Sequence, residues 1–428
     1  MPAARASRNP FAVLRRHREY RQFWTGQTAS LVGTWMQSMA QGWLALQLSD
    51  SALVVGLVAA MNALPMLLFS FHAGALADRS DKLRLVTWAQ RIFLGEAVVL
   101  WALTASGAIT VPLLLLLAAV HGACATIEIP ARQALLIELV GREDLQPAIA
   151  LNSSGFNLAR VVGPAIGGVV IARLGLAWCF GLNAVSYGFV LVGLRTIAAG
   201  RPPAARAARD TLEWQLRALG ATVRDAIRAS NASALDGLRY LLRPGLVRDL
   251  LSVVTVGAIF GGPIITLMPV FARERLALGA GGYGSLLSAL GVGGVTGALL
   301  LAGPLSQARR GRLLTVSAIA YPTLLLLLAA SRATWFALLV LPLLGVSLIV
   351  FNSLANGMLQ LLVDDAYRGR LMALYGLIII GLSQSVGALT AGALARAFGV
   401  AWAVGLGAIV LLVYAVVLLR RRPELRRA

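Results

Sequence analysis

Residues 174–185, LGLAWCFGLNAV, return near the end of the chain as residues 398–409, FGVAWAVGLGAI. Six of the twelve positions are identical: Gly175 and Gly399, Ala177 and Ala401, Trp178 and Trp402, Gly181 and Gly405, Leu182 and Leu406, Ala184 and Ala408. The offset of 224 positions is close to half of the 428-residue chain. Two parallel copies of a multi-span unit are the layout of transporters whose halves rock about a site at mid-membrane.

The sequence around the repeat supports a membrane unit. Hydrophobic residues make up 58% of the chain and charged residues 13%, against about one quarter charged in soluble domains, and the mean hydropathy is +0.78. Twelve apolar stretches, each near the ~20 residues that cross a bilayer, are centred on Thr34, Asn62, Ala97, Ala118, Gly163, Asn183, Gly261, Gly294, Ala320, Gly345, Gly381 and Val410. Several are joined by only a few residues, so neighbouring spans run antiparallel. The expectation is an all-α membrane protein of twelve transmembrane helices in two six-helix halves: residues 1–197 with a short N-terminal segment, a linker at 198–248, and residues 249–428 with a basic tail. No cleavable signal peptide is expected, because the N-terminus is short and basic and the first apolar stretch is a full span.

The net charge of +20 points to nucleic acid only if it is spread at random. It is not. Of the 38 Lys and Arg residues, 30 fall on the side that holds both termini, the even turns and the linker; the opposite side has Arg173, Arg273, Arg275, Arg332 and Arg396. The positive-inside rule then puts both termini in the cytoplasm, in a cell inner (plasma) membrane, and the basic surplus serves topology and contact with anionic lipid. Nucleic acid is not an expected partner. The linker opens with GRPPAARAARD and continues with Leu212, Leu216, Leu219, Val223 and Ile227 at helical spacing, which predicts an amphipathic helix on the inner leaflet or a tether packed on the bundle.

Enzyme chemistry finds no support. Cys124 and Cys179 lie in apolar segments and are expected as buried thiols; His17, His72 and His121 are dispersed, so neither a metal site nor a catalytic triad is expected. No cofactor is implied. Without a Walker lysine after a glycine-rich loop, energy must come from an ion gradient.

Residues 71–86, FHAGALADRSDKLRLV, place five charged side chains between two spans. With Gly74, Asp78, Arg79 and Lys82, this turn resembles the loop 2 to 3 signature of the major facilitator superfamily, departing from it at Asp81 where the signature has glycine. The stretches EIPARQALLIELV (128–140) and ALNSSGFNLARVVGPAIGG (150–168) resemble the drug and siderophore exporter branch of enterobactin exporters, macrolide efflux pumps and transmembrane secretion effectors. The resemblance implies a gating latch in which Asp78 faces the start of the eleventh helix near Arg370. The matching turn of the second half, GPLSQARRGR (303–312), lacks the aspartate. Gly163, Pro164, Gly167 and Gly168 form a small-residue motif expected to pack the fifth helix on Gly291, Gly294 and Gly297 of the eighth, closing the cytoplasmic leak path.

Ionisable residues inside spans default to function. Glu96, Glu128 and Arg132 are the proton-coupling candidates; Glu128 and Arg132, four apart, are equally readable as a permanent structural pair, and Glu96 as a partner of Arg91 or of interfacial water. Thr34, Gln37 and Gln41 on the first span, Asn157 and Arg160 on the fifth, and Asn352, Asn356 and Gln360 on the tenth are the cavity candidates. Amides at helical spacing suit a substrate held by hydrogen bonds and apolar contact, or bonds between helices. The expected function is secondary active, proton-coupled efflux of a small amphipathic molecule by a monomer. A lysophospholipid cargo and a non-transporting receptor or scaffold are the alternatives.

Overall fold

A computed structural model of the chain describes residues 11–200, 245–305 and 308–427, and every regular element among them is helical. The linker helix expected over 212–227 lies outside the described residues. Twelve long helices follow in order: α1 (Arg18–Ser49), α2 (Ala52–Arg79), α3 (Lys82–Ala105), α4 (Val111–Val140), α5 (Leu145–Leu174) and α6 (Ala177–Gly200), then α7 (Leu246–Arg275), α8 (Ala280–Ala302), α9 (Arg310–Ala330) and α10 (Thr334–Leu362), α11 (Tyr367–Phe398) and α12 (Val400–Arg421). Each contains one of the twelve expected centres. Eleven are apolar enough to cross a membrane by composition. The exception, α1, has 32 residues, about 48 Å at 1.5 Å per residue; its apolar sequence is broken by Gln27, Ser30, Gln37 and Gln41, all buried against other helices. Exposed apolar side chains such as Val169, Phe189, Leu339 and Trp402 cover the outside, as a lipid-facing surface requires. This is a multi-pass membrane protein.

The repeat is visible in the backbone. Gly175, between α5 and α6, has φ 92° and ψ 162°; Gly399, between α11 and α12, has φ 86° and ψ 157°. Only glycine adopts this left-handed region freely, so the same residue makes the same turn in both halves. Elsewhere the start of α3 is capped by Asp81, whose carboxylate accepts from the Arg84 backbone N–H at 3.0 Å. The departure from the family signature is therefore a helix cap.

The helices alternate in direction, so one end of the bundle carries both termini. Apolar cores divide along this axis. At the end away from the termini a single core joins the halves, with Met36, Trp43 and Val55 of the first and Ile264, Tyr283 and Val404 of the second. At the termini end there are two: Phe23, Leu83, Leu135 and Leu194 in the first half, and Leu250, Leu354, Leu371 and Leu419 in the second. Glycines set the seam. A Cβ on Gly284 of α8 would lie 2.6 Å from Pro164 O of α5, and one on Gly56 of α2 would lie 2.5 Å from Ala388 O of α11. At the far end Arg273 pairs with Asp50 and donates to Leu46 O at 3.3 Å. The halves are thus joined away from the termini.

The second half also departs from regular α-helix. Gly262 N–H bonds Gly257 O, five residues back, at 2.9 Å, and π-helical turns recur at Phe271–Arg275 and Leu377–Gly387. At the termini end a short helix, Ala12–Arg16, is tied to the turn before α5: His17 Nε2 lies 2.9 Å and Arg16 Nη1 3.1 Å from the Asp144 carboxylate. The His17 bond, the largest effect, holds that carboxyl below the usual carboxylate range; burial opposes it, and the charge and hydrogen bond of Arg16 add to the lowering.

Candidate functional site

Glu96 lies mid-way along α3 with its side chain 1% exposed. A carboxylate is tolerated at such depth only when its lone pairs are filled, and α1 fills them. The Gln37 amide donates to Oε1 at 3.1 Å and Oε2 at 3.0 Å, and Gln41 donates to Oε1 at 3.4 Å. From α4, His121 Nδ1 approaches Oε2 at 3.3 Å. Behind Gln37 stands α6: Asn183 Nδ2 donates to Gln37 Oε1 at 2.8 Å, and the single Ser186 hydroxyl proton is shared between Asn183 O at 2.7 Å and Asn183 Oδ1 at 2.9 Å. Gly33 makes room for this chain, since a Cβ there would lie 2.3 Å from Asn183 Oδ1. The amide donors point the same way, from Asn183 through Gln37 to Glu96, and such alignment strengthens each bond. Nearby, Thr34 spends its hydroxyl proton on Ser30 O at 2.9 Å, so Tyr187 must donate to Thr34 at 3.2 Å. The Phe93 ring packs against both His121 and Tyr187.

Glu96 is therefore not a partner of Arg91 and does not face water. Arg91 lies over the Trp88 ring instead. Likewise Gln37 and Gln41, 2% and 3% exposed, are used inside the first half and do not line an open cavity in this structure. The physical reason is that a buried carboxylate competes for their N–H groups more strongly than water in a cavity does.

The second acidic site lies nearer the termini end of α4. Arg132 Nε donates to Glu128 Oε1 at 2.9 Å, and Gln90 Nε2 reaches the same oxygen at 3.5 Å. Spacing of four placed these two on one face, and they meet.

The turn after α2 is less fully described. The side chains of Asp78 and Arg79 lie outside the described residues; Gly74 faces open space. Lys82 Nζ is 3.7 Å from Glu138 Oε1 at the end of α4. The small-residue motif of α5 divides between two neighbours: a Cβ on Gly163 or Gly167 would meet Trp35, Met36 and Met39 of α1, whereas Pro164 and Gly168 face Gly284 and Gly281 of α8. On α8, Gly291 and Gly294 face Val161 and Arg160, but Gly297 packs on Val346 of α10. The α5–α8 seam thus lies from mid-membrane away from the termini, so it does not seal the end at which the leak path was expected to close. Among the cavity candidates, Asn157, Arg160, Asn352 and Asn356 are half-buried and Gln360 is exposed. Asn157 donates to Ser153 O at 2.9 Å and Gln360 to Asn356 Oδ1 at 2.6 Å.

Sequence reasoning missed His121 and Asn183. A usable signal existed for the first: His121, Glu128 and Arg132 recur at seven and four residues, one face of a helix. Asn183 carried none, because its partner lies 146 residues away.

The family described as transmembrane secretion effector matches residues 8–427. The enterobactin exporter EntS of Shigella flexneri is 26% identical over 423 residues, covering 97% of this chain and 94% of that one. A staphyloferrin A transporter of Staphylococcus aureus is 30% identical over 166 residues, covering 39% of this chain and 42% of that one. Among solved structures, a POT peptide transporter superposes with TM-score 0.74 at 14% identity, covering 96% of this chain and 95% of that one. A bacterial homolog of the human lysosomal transporter Spinster, inward-facing and unoccupied, gives 0.64 at 14% identity, covering 95% and 96%. At such identities the structural likeness speaks for the fold.

Proposed function

The chain belongs to the transmembrane secretion effector family of major facilitator transporters, and from that premise we propose that it exports a small amphipathic, siderophore-like molecule in exchange for protons by alternating access, with Glu96 and His121 as the proton-accepting pair. It is a membrane transporter and not an enzyme. The charge asymmetry supports an inner-membrane orientation with both termini cytoplasmic and anionic lipid at that face. In that orientation the joined core faces outward and the split cores face the cytoplasm, a form ready to load cargo from inside. A monomer suffices, since one chain supplies both halves.

The observation that carries the coupling assignment is the directed donor chain ending on Glu96. Glu128 is bonded to an arginine, which stays protonated at any physiological pH, so its counter-charge is fixed. Glu96 is bonded to an imidazole, whose ring nitrogens can both give and take a proton. Protonation of Glu96 turns one acceptor oxygen into a donor. The new O–H can point to His121 Nδ1, and Gln37 keeps an acceptor but loses a charged one, so the bonds that hold α1 to α3 weaken. One proton is thereby felt on α1, α3 and α4 together.

Everted membrane vesicles with an imposed pH gradient test this. Siderophores and hydrophobic drugs are added to wild type, Glu96→Gln and Glu128→Gln. Substrate-dependent proton movement in wild type and Glu128→Gln, absent in Glu96→Gln, is the expected result. Movement that survives in Glu96→Gln overturns the assignment of the pair, and none in wild type with any compound overturns proton-coupled export.

A further inference from the structure

Several arginines of the spans are matched with partners. Arg132 has Glu128, Arg273 has Asp50, Arg275 donates to the carbonyls of Ala329, Ala330 and Ser331, and Arg91 lies over Trp88. Arg160 has none: among the described residues it makes no ion pair and no side-chain hydrogen bond. It stands on α5 at the seam between the halves. A Cβ built on Gly294 of α8 would lie 2.3 Å from its Nη2 and 3.3 Å from Ile349 of α10. The guanidinium therefore points its Nη2 at a place on α8 that has no side chain, next to the α10 face that carries Asn352 one turn further on.

A cation in an apolar span without a counter-charge is costly, and such residues are kept for ligands or pairs. Its five N–H donors in a planar fork match a two-oxygen anion. We infer that Arg160 is the anchor of an anion site between α5, α8 and α10, and that the exported molecule carries a carboxylate, sulfonate or comparable oxyanion that binds there. The inference rests on the exporter reading for its cargo, but the site is defined by Arg160 alone. Asn157 lies one turn from Arg160 on α5 and Asn352 one turn from Ile349 on α10, and their amides suit the neutral part of the same molecule. Glycine at 294 is required, because any side chain would push the guanidinium away.

The test uses purified protein in nanodiscs of zwitterionic lipid, with two fluorescent probes of similar shape: anionic anilinonaphthalene sulfonate and neutral phenylnaphthylamine. Binding is measured with no pH gradient. Wild type is expected to bind the sulfonate about tenfold or more tightly than the neutral probe, as a charge-assisted hydrogen bond implies. Arg160→Gln abolishes this preference and Arg160→Lys keeps part of it. Gly294→Ala keeps the charge but displaces the guanidinium, so it lowers the preference too, and it stands in if Arg160→Gln does not fold. No preference in wild type, or a preference unchanged in either Arg160→Gln or Gly294→Ala, overturns the site. Because no gradient is used, an anion preference in a protein that moves no protons would bring down the exporter reading and leave the site standing.

Discussion

Gly284→Ala isolates the seam between the halves. The added Cβ would lie 2.6 Å from Pro164 O, 3.1 Å from Gly168 Cα and 3.2 Å from Met39 Cε, where ordinary contact begins at 3.4 Å. Two of these three neighbours are backbone atoms of α5, so no rotamer change relieves the clash and the helices must part. Overpacking of this kind costs about 1–3 kcal/mol. The cost falls only on the form in which α5 and α8 touch, so the equilibrium moves toward a form opened away from the termini by roughly 5- to 150-fold. Spin labels on Ser106, in the turn after α3, and Arg332, in the turn after α9, report the separation of the halves at that end; both are exposed, and the native Cys124 and Cys179 are buried. The expected result is growth of a longer-distance population in Gly284→Ala. Gly293→Ala is the control: its Cβ would lie 1.9 Å from Pro342 O inside the second half, so it lowers the melting temperature without lengthening the distance. An unchanged distance distribution in folded Gly284→Ala would refute the seam as the closed gate.

Three further outcomes are expected. Arg132→Gln strands Glu128, which is 4% exposed, and should lose about 3–5 kcal/mol; the double variant with Glu128→Gln should recover much of it in denaturant unfolding, and equal losses would refute a stabilising pair. Asp81→Ala removes the cap of α3 and should cost about 1 kcal/mol, but Asp81→Gly only a few tenths; a larger loss for glycine in the same assay contradicts a capping role. Asp144, held below the usual carboxylate range by His17 and Arg16, contributes stability that is complete above its unfolded pKa of about 3.9 and is lost as pH falls through its lower folded value. Proteolysis of residues 12–17 should be faster in Asp144→Asn than in wild type at neutral pH, with the gap closing in acid; a gap independent of pH points to another cause.

The spans were legible because lipid imposes one rule along the whole chain: a helix that crosses must be apolar or must bury what is not. That rule gave twelve spans, each of which is a helix, and the repeat related the halves through Gly175 and Gly399. The destination of the α1 stripe was not legible. Periodicity shows that Gln37 and Gln41 share a face, but whether that face meets water or a carboxylate depends on helix rotation, which is decided by Gly33 and its fit to Asn183. Glu96 was found as a buried charge yet misjudged in partner, because His121 reaches it from another helix and its ring carries no charge in a formal count. The π turns of α7 and α11 left no sign either, since they change backbone bonding without changing residue spacing.

The two halves share a topology but not a chemistry. Among the described residues, the buried amides Gln27, Gln37, Gln41, Gln90 and Asn183 and the buried carboxylates Glu96 and Glu128 all belong to the first half; the second half buries serines, and Asp249 at the start of α7. What the second half has instead is irregular backbone, with π turns in the two helices that face each other through Gly262, Ser383 and Gly387. Such turns weaken regular helix bonding and mark places where helices bend. A proton bound in the first half cannot act on the second by charge through a described side chain, because the Glu96 network crosses no seam. Under the proposed coupling it would act through the shape of α1, the helix of the Glu96 network whose Trp43 stacks on Tyr283 of α8. A shift of α1 that followed weaker Gln37–Glu96 bonds would reach the second half at the joined core, where the bent helices are best able to yield.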